Sequence, residues 1–574
     1  MQTTSHFRMK AGGLSATVLL GVALPFMSVV VFQAVFVLTV SAADELHVRI
    51  DRQIVAAAKG EPVASSANDA TFVRRIFLDL AGRVPSWQEA TQFLDSREAD
   101  KRVKLITDLL ARPDYARRMQ DLFNAMLLER RGENAEWMRF LHVSFETNKP
   151  WDQLVREVLH PDPNHETTRG AAFFHTKRLD KTGQQETDYP GLTRDVGRLF
   201  LGMDLQCAQC HNHLFIDPYK QHDFQGLFAV YQNTFIRSDV TFPAIGEKVM
   251  TKKLDFMSVF DKLPLATGPR VPGGKEIEIV QFEKGQEFFV PPDRSKNFLG
   301  TPKFSPLEAL ANELPVSSNR AFVDNIVNRL WFVMLGHGLV TPLDQHHVGN
   351  PSSHPELMEE LGREFVAHGL DLKWMIRELA LTEAYQRSSE VPADGNIPPL
   401  ATYRIANVKR LSAEQIMASV LVATGGRDHS PTIVPAVATA TTSVAEQTPE
   451  AKKVEPTKTE KLRMAFVKSL ANAPQDPEIE FAPSLQSSLF MLNDAAVLDV
   501  LTPQANNLID RLLNQPDTAA IADELYLCVL TRTPTSAERA VVASHLAKHA
   551  DRRSAAITNL AWSLLASTEF CINH

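Results

Sequence analysis

The run Cys207-Ala208-Gln209-Cys210-His211 holds the residue types best suited to chemistry in this chain. Two thiols at this spacing can add to the two vinyl groups of a haem, and the histidine that follows then ligates the iron through an imidazole nitrogen. Such a tether holds its group without a deep pocket. The expected roles are thioether anchors for Cys207 and Cys210 and axial ligand for His211, with haem c as the cofactor. His213 opens a second reading. Cys207, Cys210, His211 and His213 set four soft or borderline ligands close together, which suits Zn or Fe. A third reading is structural, a Cys207–Cys210 disulfide stapling one turn while the two histidines only hydrogen-bond. A sixth iron ligand is not evident. Met203 lies too near Cys207 and His213 too near His211, which leaves His222, Met250 and Met257 by distance along the chain.

A second polar cluster comprises Asp344, His346, His347, Asn350, His354 and Glu356. Three histidines with carboxylates can bind a metal or move protons. The plainer reading is a solvated loop whose Asn350-Pro-Ser-Ser353 turn caps the next helix. Arg74 and Arg75, beside Phe77 and Asp79, read as members of structural ion pairs. No glycine-rich phosphate loop, GxSxG elbow or HExxH run occurs.

The elements that must position these groups are mostly helices. Leu105, Ile106, Leu109 and Leu110 recur at helical spacing within 101–111, and Pro113 stops that helix. Ser86 with Glu89, Ser412 with Gln415 and Thr535 with Glu538 have the spacing of capping boxes. Phe322, Ile326, Leu330 and Trp331 mark an amphipathic helix ending near Gly336. Residues 236–300 differ, with dense Pro and Gly and an alternation from Lys275 to Val280 that puts Ile277 and Ile279 on one face of a strand. The fold expected is mainly α, a multi-helical two-domain protein with a small β-rich insert between the domains. Helical domains span 44–235 and 301–574, the insert spans 236–300, and 426–460 forms a low-complexity loop.

Composition bounds the setting. The chain has 574 residues, 44% hydrophobic and 22% charged, as a soluble globular protein does. A net charge of -8 argues against nucleic acid as a partner. His6, Arg8 and Lys10 precede an apolar stretch over 11–40, and Ser41-Ala42-Ala43 offers a cleavage site. Residues 1–43 therefore read as a signal peptide or an N-terminal membrane anchor, and the chain as exported to the periplasm or cell envelope. If the leader is retained, residues 11–40 associate with the membrane. With only four cysteines the chain is not a disulfide scaffold, and Cys528 and Cys571 read as buried thiols.

Phe72-Val-Arg-Arg-Ile-Phe-Leu-Asp-Leu-Ala-Gly-Arg-Val-Pro85 and Leu201-Gly-Met-Asp-Leu-Gln-Cys-Ala-Gln-Cys-His-Asn-His213 resemble the planctomycete cytochrome C-like domain, whose function is uncharacterised. Asn328-Arg-Leu-Trp-Phe332, Gly336-His-Gly-Leu-Val340, Asn350-Pro-Ser-Ser-His-Pro-Glu356, Asp371-Leu-Lys-Trp374 and Trp562-Ser-Leu-Leu-Ala-Ser-Thr-Glu-Phe570 resemble the domain that usually follows it. The resemblance implies a two-part exported protein and matches Cys207, Cys210 and His211 to the family's haem-like motif. It departs at Leu214, where the family often has proline. The expected function is a c-type haem protein in electron transfer or a redox step, with a redox or cell-envelope partner. The alternatives are a non-haem Zn or Fe protein and a non-catalytic envelope scaffold.

Overall fold

Local signals set most of the helices. Lys101–Ala111 ends at Arg112, and Pro113 both blocks its continuation and opens the next helix, Pro113–Leu128, as a first-turn proline. Capping boxes at Ser86, Ser412 and Thr535 start the helices Trp87–Asp95, Ala413–Thr424 and Ser536–Lys548. Arg320–Leu335 stops at Gly336, whose φ of 78° gives the left-handed cap. The computed structural model describes residues 44–181, 186–260, 262–392, 395–427, 457–476 and 490–574. Residues 1–43, expected to be a signal peptide or membrane anchor, and most of the 426–460 segment lie outside the described residues. Among the described residues no helix is long and apolar enough to cross a membrane.

The protein is mainly α, with small two-stranded sheets. Three hairpin-like pairs occupy the stretch between the helical parts. Thr234–Ile236 pairs with Ile245–Glu247, Leu254–Met257 with Pro264–Thr267, and Phe288–Val290 with Thr301–Pro302, all antiparallel. The strand expected over Lys275 to Val280 does not form. Glu276 makes one isolated bridge to Arg270, and Ile277 and Ile279 are only half-buried, too little to hold a ladder.

Two apolar cores organise the helices. The first joins helices from the N-terminal part to Arg320–Leu335, Pro355–Ala367 and Leu372–Leu381, and it ends at Tyr403. Trp151 stacks on Phe322 across it at 6.1 Å and 8°. The second gathers residues from Leu411 to Phe570 and takes Leu78 and Val84 from the N-terminal part. The cores therefore divide near residues 403–411. The helix Asp69–Leu80 faces both cores, which explains its buried Arg74 and Arg75. These do not form the expected ion pairs. Arg74 donates to the carbonyls of Val529, Glu569 and Phe570, and Arg75 to those of Tyr385 and Arg387 and to the backbone oxygen of His574. Asp79 pairs instead with Lys409, at 2.7 Å, and accepts from the Tyr385 hydroxyl. Amide carbonyl oxygens accept from a buried guanidinium without burying a second charge.

Candidate functional site

The helix Tyr189–Leu201 delivers the chain to the Cys-x-x-Cys-His loop. It ends at Gly202 with φ of 65°, and a Cβ there would lie 2.8 Å from Cδ2 of His346. Leu205 and Ala208 bury themselves in the first core and pin the loop from below. Cys207–Gln209 then forms a 3-10 turn, closed by the Cys210 N–H donating to the Cys207 carbonyl at 3.2 Å. Both thiols are exposed and unbonded. Gln209 is held on two sides. Arg194 donates to its side chain at 2.6 Å, and Gln225 to its carbonyl at 2.8 Å. The loop is thus fixed while its sulfurs face solvent.

His211 and His213 carry opposite tautomers. Nδ1 of His211 lies 2.6 Å from the Asn212 carbonyl oxygen, which can only accept. Nδ1 therefore carries the proton, and a neutral ring leaves the Nε2 lone pair free. A metal-ligating histidine needs this arrangement, with the far nitrogen donating to a carbonyl. Nδ1 of His213 instead accepts from the backbone N–H groups of Phe215, at 3.1 Å, and Ile216, at 2.9 Å. Its proton sits on Nε2, so neither nitrogen offers a lone pair. The Zn or Fe set of Cys207, Cys210, His211 and His213 is therefore not assembled. Among the described residues no three His, Cys, Asp or Glu side chains come together to hold a metal ion.

An apolar collar borders the loop. The Leu254–Met257 hairpin leans on it, with Val259 N–H donating to the Cys210 carbonyl at 3.1 Å and the Phe260 ring 4.7 Å from that of His211. Gln221 secures the hairpin by donating to the Met257 carbonyl. Leu214 (64% exposed), Phe215 (91%), Met257 (53%), Val259 (56%) and Phe260 (61%) all face solvent here. Together they put five exposed apolar side chains around the loop. Of the residues weighed as a further ligand, Met250 is buried, and His222 lies 3.2 Å from Asp223. Met257 stands on the hairpin beside the loop.

The PSCyt2 family, described as a protein of unknown function (DUF1549), matches residues 49–235, and the PSD1 family, a protein of unknown function (DUF1553), matches residues 308–546. In N-to-C order these are the planctomycete cytochrome c-like domain and the partner domain that usually follows it. No curated protein matches the chain, and no solved structure does.

The PSD1 domain meets the PSCyt2 loop through its own histidines. His346 N–H donates to the Gly202 carbonyl at 2.9 Å, and Met203 bridges to Gln345. The His346 ring is bracketed by Asn328 at 3.2 Å, and burial, aided by the Arg329 charge, lowers its pKa to about 4. It is a neutral, structural side chain. His347 stands edge-on to Tyr219 at 5.9 Å, and Tyr219 stands edge-on to His213 at 6.0 Å. His354 does not join them. It is buried 5.6 Å from the Tyr403 ring and bonded to Ser353. The three histidines of the second cluster therefore do not form one site, because His346 and His347 dock on the PSCyt2 loop while His354 packs against another wall.

Sequence reasoning missed the charged lattice behind the loop. Asp195 binds Arg178 and Arg131 at 2.7 Å and Arg198 at 3.0 Å. Arg198 also holds Glu129 at 2.6 Å and Asp344 at 3.2 Å, and Arg329 of the PSD1 domain pairs with Asp344. Burial opposes ionisation of Asp195, yet Arg178, Arg198 and Arg131 pull its pKa down to about 2. Its partners come from distant segments, so no local spacing announces it.

Proposed function

We propose that this chain is an exported carrier of covalently attached c-type haem with an electron-transfer or other redox role. The observation that supports this best is the His211 tautomer, an Nε2 lone pair free beside two exposed, unbonded thiols. Cys207 and Cys210 would hold the group and His211 would ligate it. When bound, haem supplies one-electron redox chemistry at its iron. The chain's own contribution is positional. Asn212 fixes the His211 proton, Phe260 packs on the ring, and the exposed collar offers an apolar surface that excludes water. The basic and apolar leader composition supports export, and the negative charge favours a protein or envelope partner over nucleic acid.

The Zn or Fe reading requires His213 to surrender its bonds from Phe215 and Ile216. The test is expression of the full chain with its leader in a host that matures c-type cytochromes, read by visible spectrum and intact mass. A Soret band with a haem-sized mass gain is expected. A colourless chain with both thiols unmodified or joined overturns the proposal and leaves the scaffold reading.

A further inference from the structure

A partly open cavity of about 310 Å3 lies where the two cores meet. The helices Pro113–Leu128 and Arg320–Leu335, the start of Ala413–Thr424 and the residues after Lys458–Leu470 wall it. Its size is that of a small ligand pocket. Leu122, Met126, Phe332 and Leu411 supply apolar surface. Most charges on the wall cancel in pairs. Lys409 holds Asp79, Arg198 holds Glu129, Arg329 holds Asp344, and Arg130 holds Glu414.

Asp121 is different. Its carboxylate lines the cavity and makes no hydrogen bond or ion pair among the described residues. The charged groups around it are Arg117 and Arg118 on its own helix, Glu414 on Ala413–Thr424 and Arg463 on Lys458–Leu470. Arg117 is engaged with Asp114 at 3.2 Å and the Ala81 carbonyl at 2.9 Å, and Arg463 with Glu133 at 2.7 Å. Burial and the Glu414 charge raise the Asp121 pKa against the pull of these arginines. The side chain is half-buried, and the arginines around it act through space, with no hydrogen bond to its oxygens. Side chains left without partners in this way are expected at functional or strained sites.

We infer that this cavity binds a small organic ammonium ion, a primary amine on a compact apolar body, with Asp121 as its counter-ion. An ammonium supplies a hydrogen-bonded counter-charge, and the apolar wall takes the rest of the ligand. The site is independent of haem attachment, since none of its walls belongs to the Cys207 to His211 loop.

Isothermal titration of the full chain at neutral pH tests it, with phenethylamine and its neutral counterpart 2-phenylethanol as probes. Saturable binding of the amine, at least ~10-fold tighter than the alcohol, is expected. Asp121→Asn should erase that preference without lowering the thermal midpoint, because the carboxylate has no hydrogen bond to lose. Asp121→Ser serves as the second variant should the amide fail to fold. Absence of saturable binding, equal affinity for the two probes, or a preference that survives both substitutions overturns the inference.

Discussion

At the scale of residues, the contrast between His211 and His213 carries the chemistry. They stand two positions apart, yet one keeps a lone pair and the other does not. The tautomers follow from backbone partners, the Asn212 carbonyl for one and the Phe215 and Ile216 N–H groups for the other. Cys207→Ala together with Cys210→Ala is expected to abolish the haem-sized mass gain of chain matured with its leader. His213→Ala should leave that gain intact. It should instead cost about 1–3 kcal/mol in chemical denaturation, because two backbone donors lose their acceptor. A His213→Ala chain that folds normally but carries no haem would contradict the tautomer argument. The residue types of this site were legible in the sequence. The proton positions were not, because they depend on how the turn after His213 closes.

At the scale of elements, helix starts and stops were the most readable features. Ser86, Ser412 and Thr535 begin helices as their spacing predicts, and Gly336 ends one. These signals act within one turn of chain, so no distant partner can override them cheaply. The strand expected near Ile277 failed for the opposite reason, since a strand needs a ladder of partners and the stretch makes a single isolated bridge, Arg270 to Glu276, among the described residues. Gly202 belongs to both regimes. It caps the helix that carries Arg198, and its missing side chain admits the His346 ring. Gly202→Ala combines a left-handed backbone with a 2.8 Å contact. It is expected to lower stability by about 1–3 kcal/mol. The denaturation midpoint checks this, and a loss much below that range would mean that His346 moves aside freely.

At the scale of the whole molecule, charge buried between the two parts should govern the response to acid. His346 is held below its usual pKa, so its unfolded form takes up a proton first. Stability is then lost as pH falls from about 6.5 toward about 4. His346→Gln should remove that part of the slope, read as urea midpoints at pH 7 and pH 5. Asp195 is also depressed, so its contribution is present above the ordinary carboxylate range and is lost toward about pH 2. Asp195→Asn should cost about 3–5 kcal/mol at neutral pH, since Arg178 and Arg131 would stay buried without their partner. A neutral effect in denaturant melts would show that the lattice reorganises around the amide.

The sequence by itself determined the mainly helical class, several helix starts and stops, the family strings and the chemical types at Cys207, Cys210 and His211. Each rests on neighbours within a few positions, where covalent connection already sets the distances. The tertiary structure alone decided that the cores divide near residues 403–411 and that His346 and His347 leave His354 to meet the PSCyt2 loop. It also decided that Arg74 and Arg75 bind carbonyls and that Asp121 faces a cavity without a partner. These outcomes join segments tens to hundreds of residues apart. Burial makes such contacts strong, because few alternative partners and little water remain there, and no periodicity along the chain records which segments will meet.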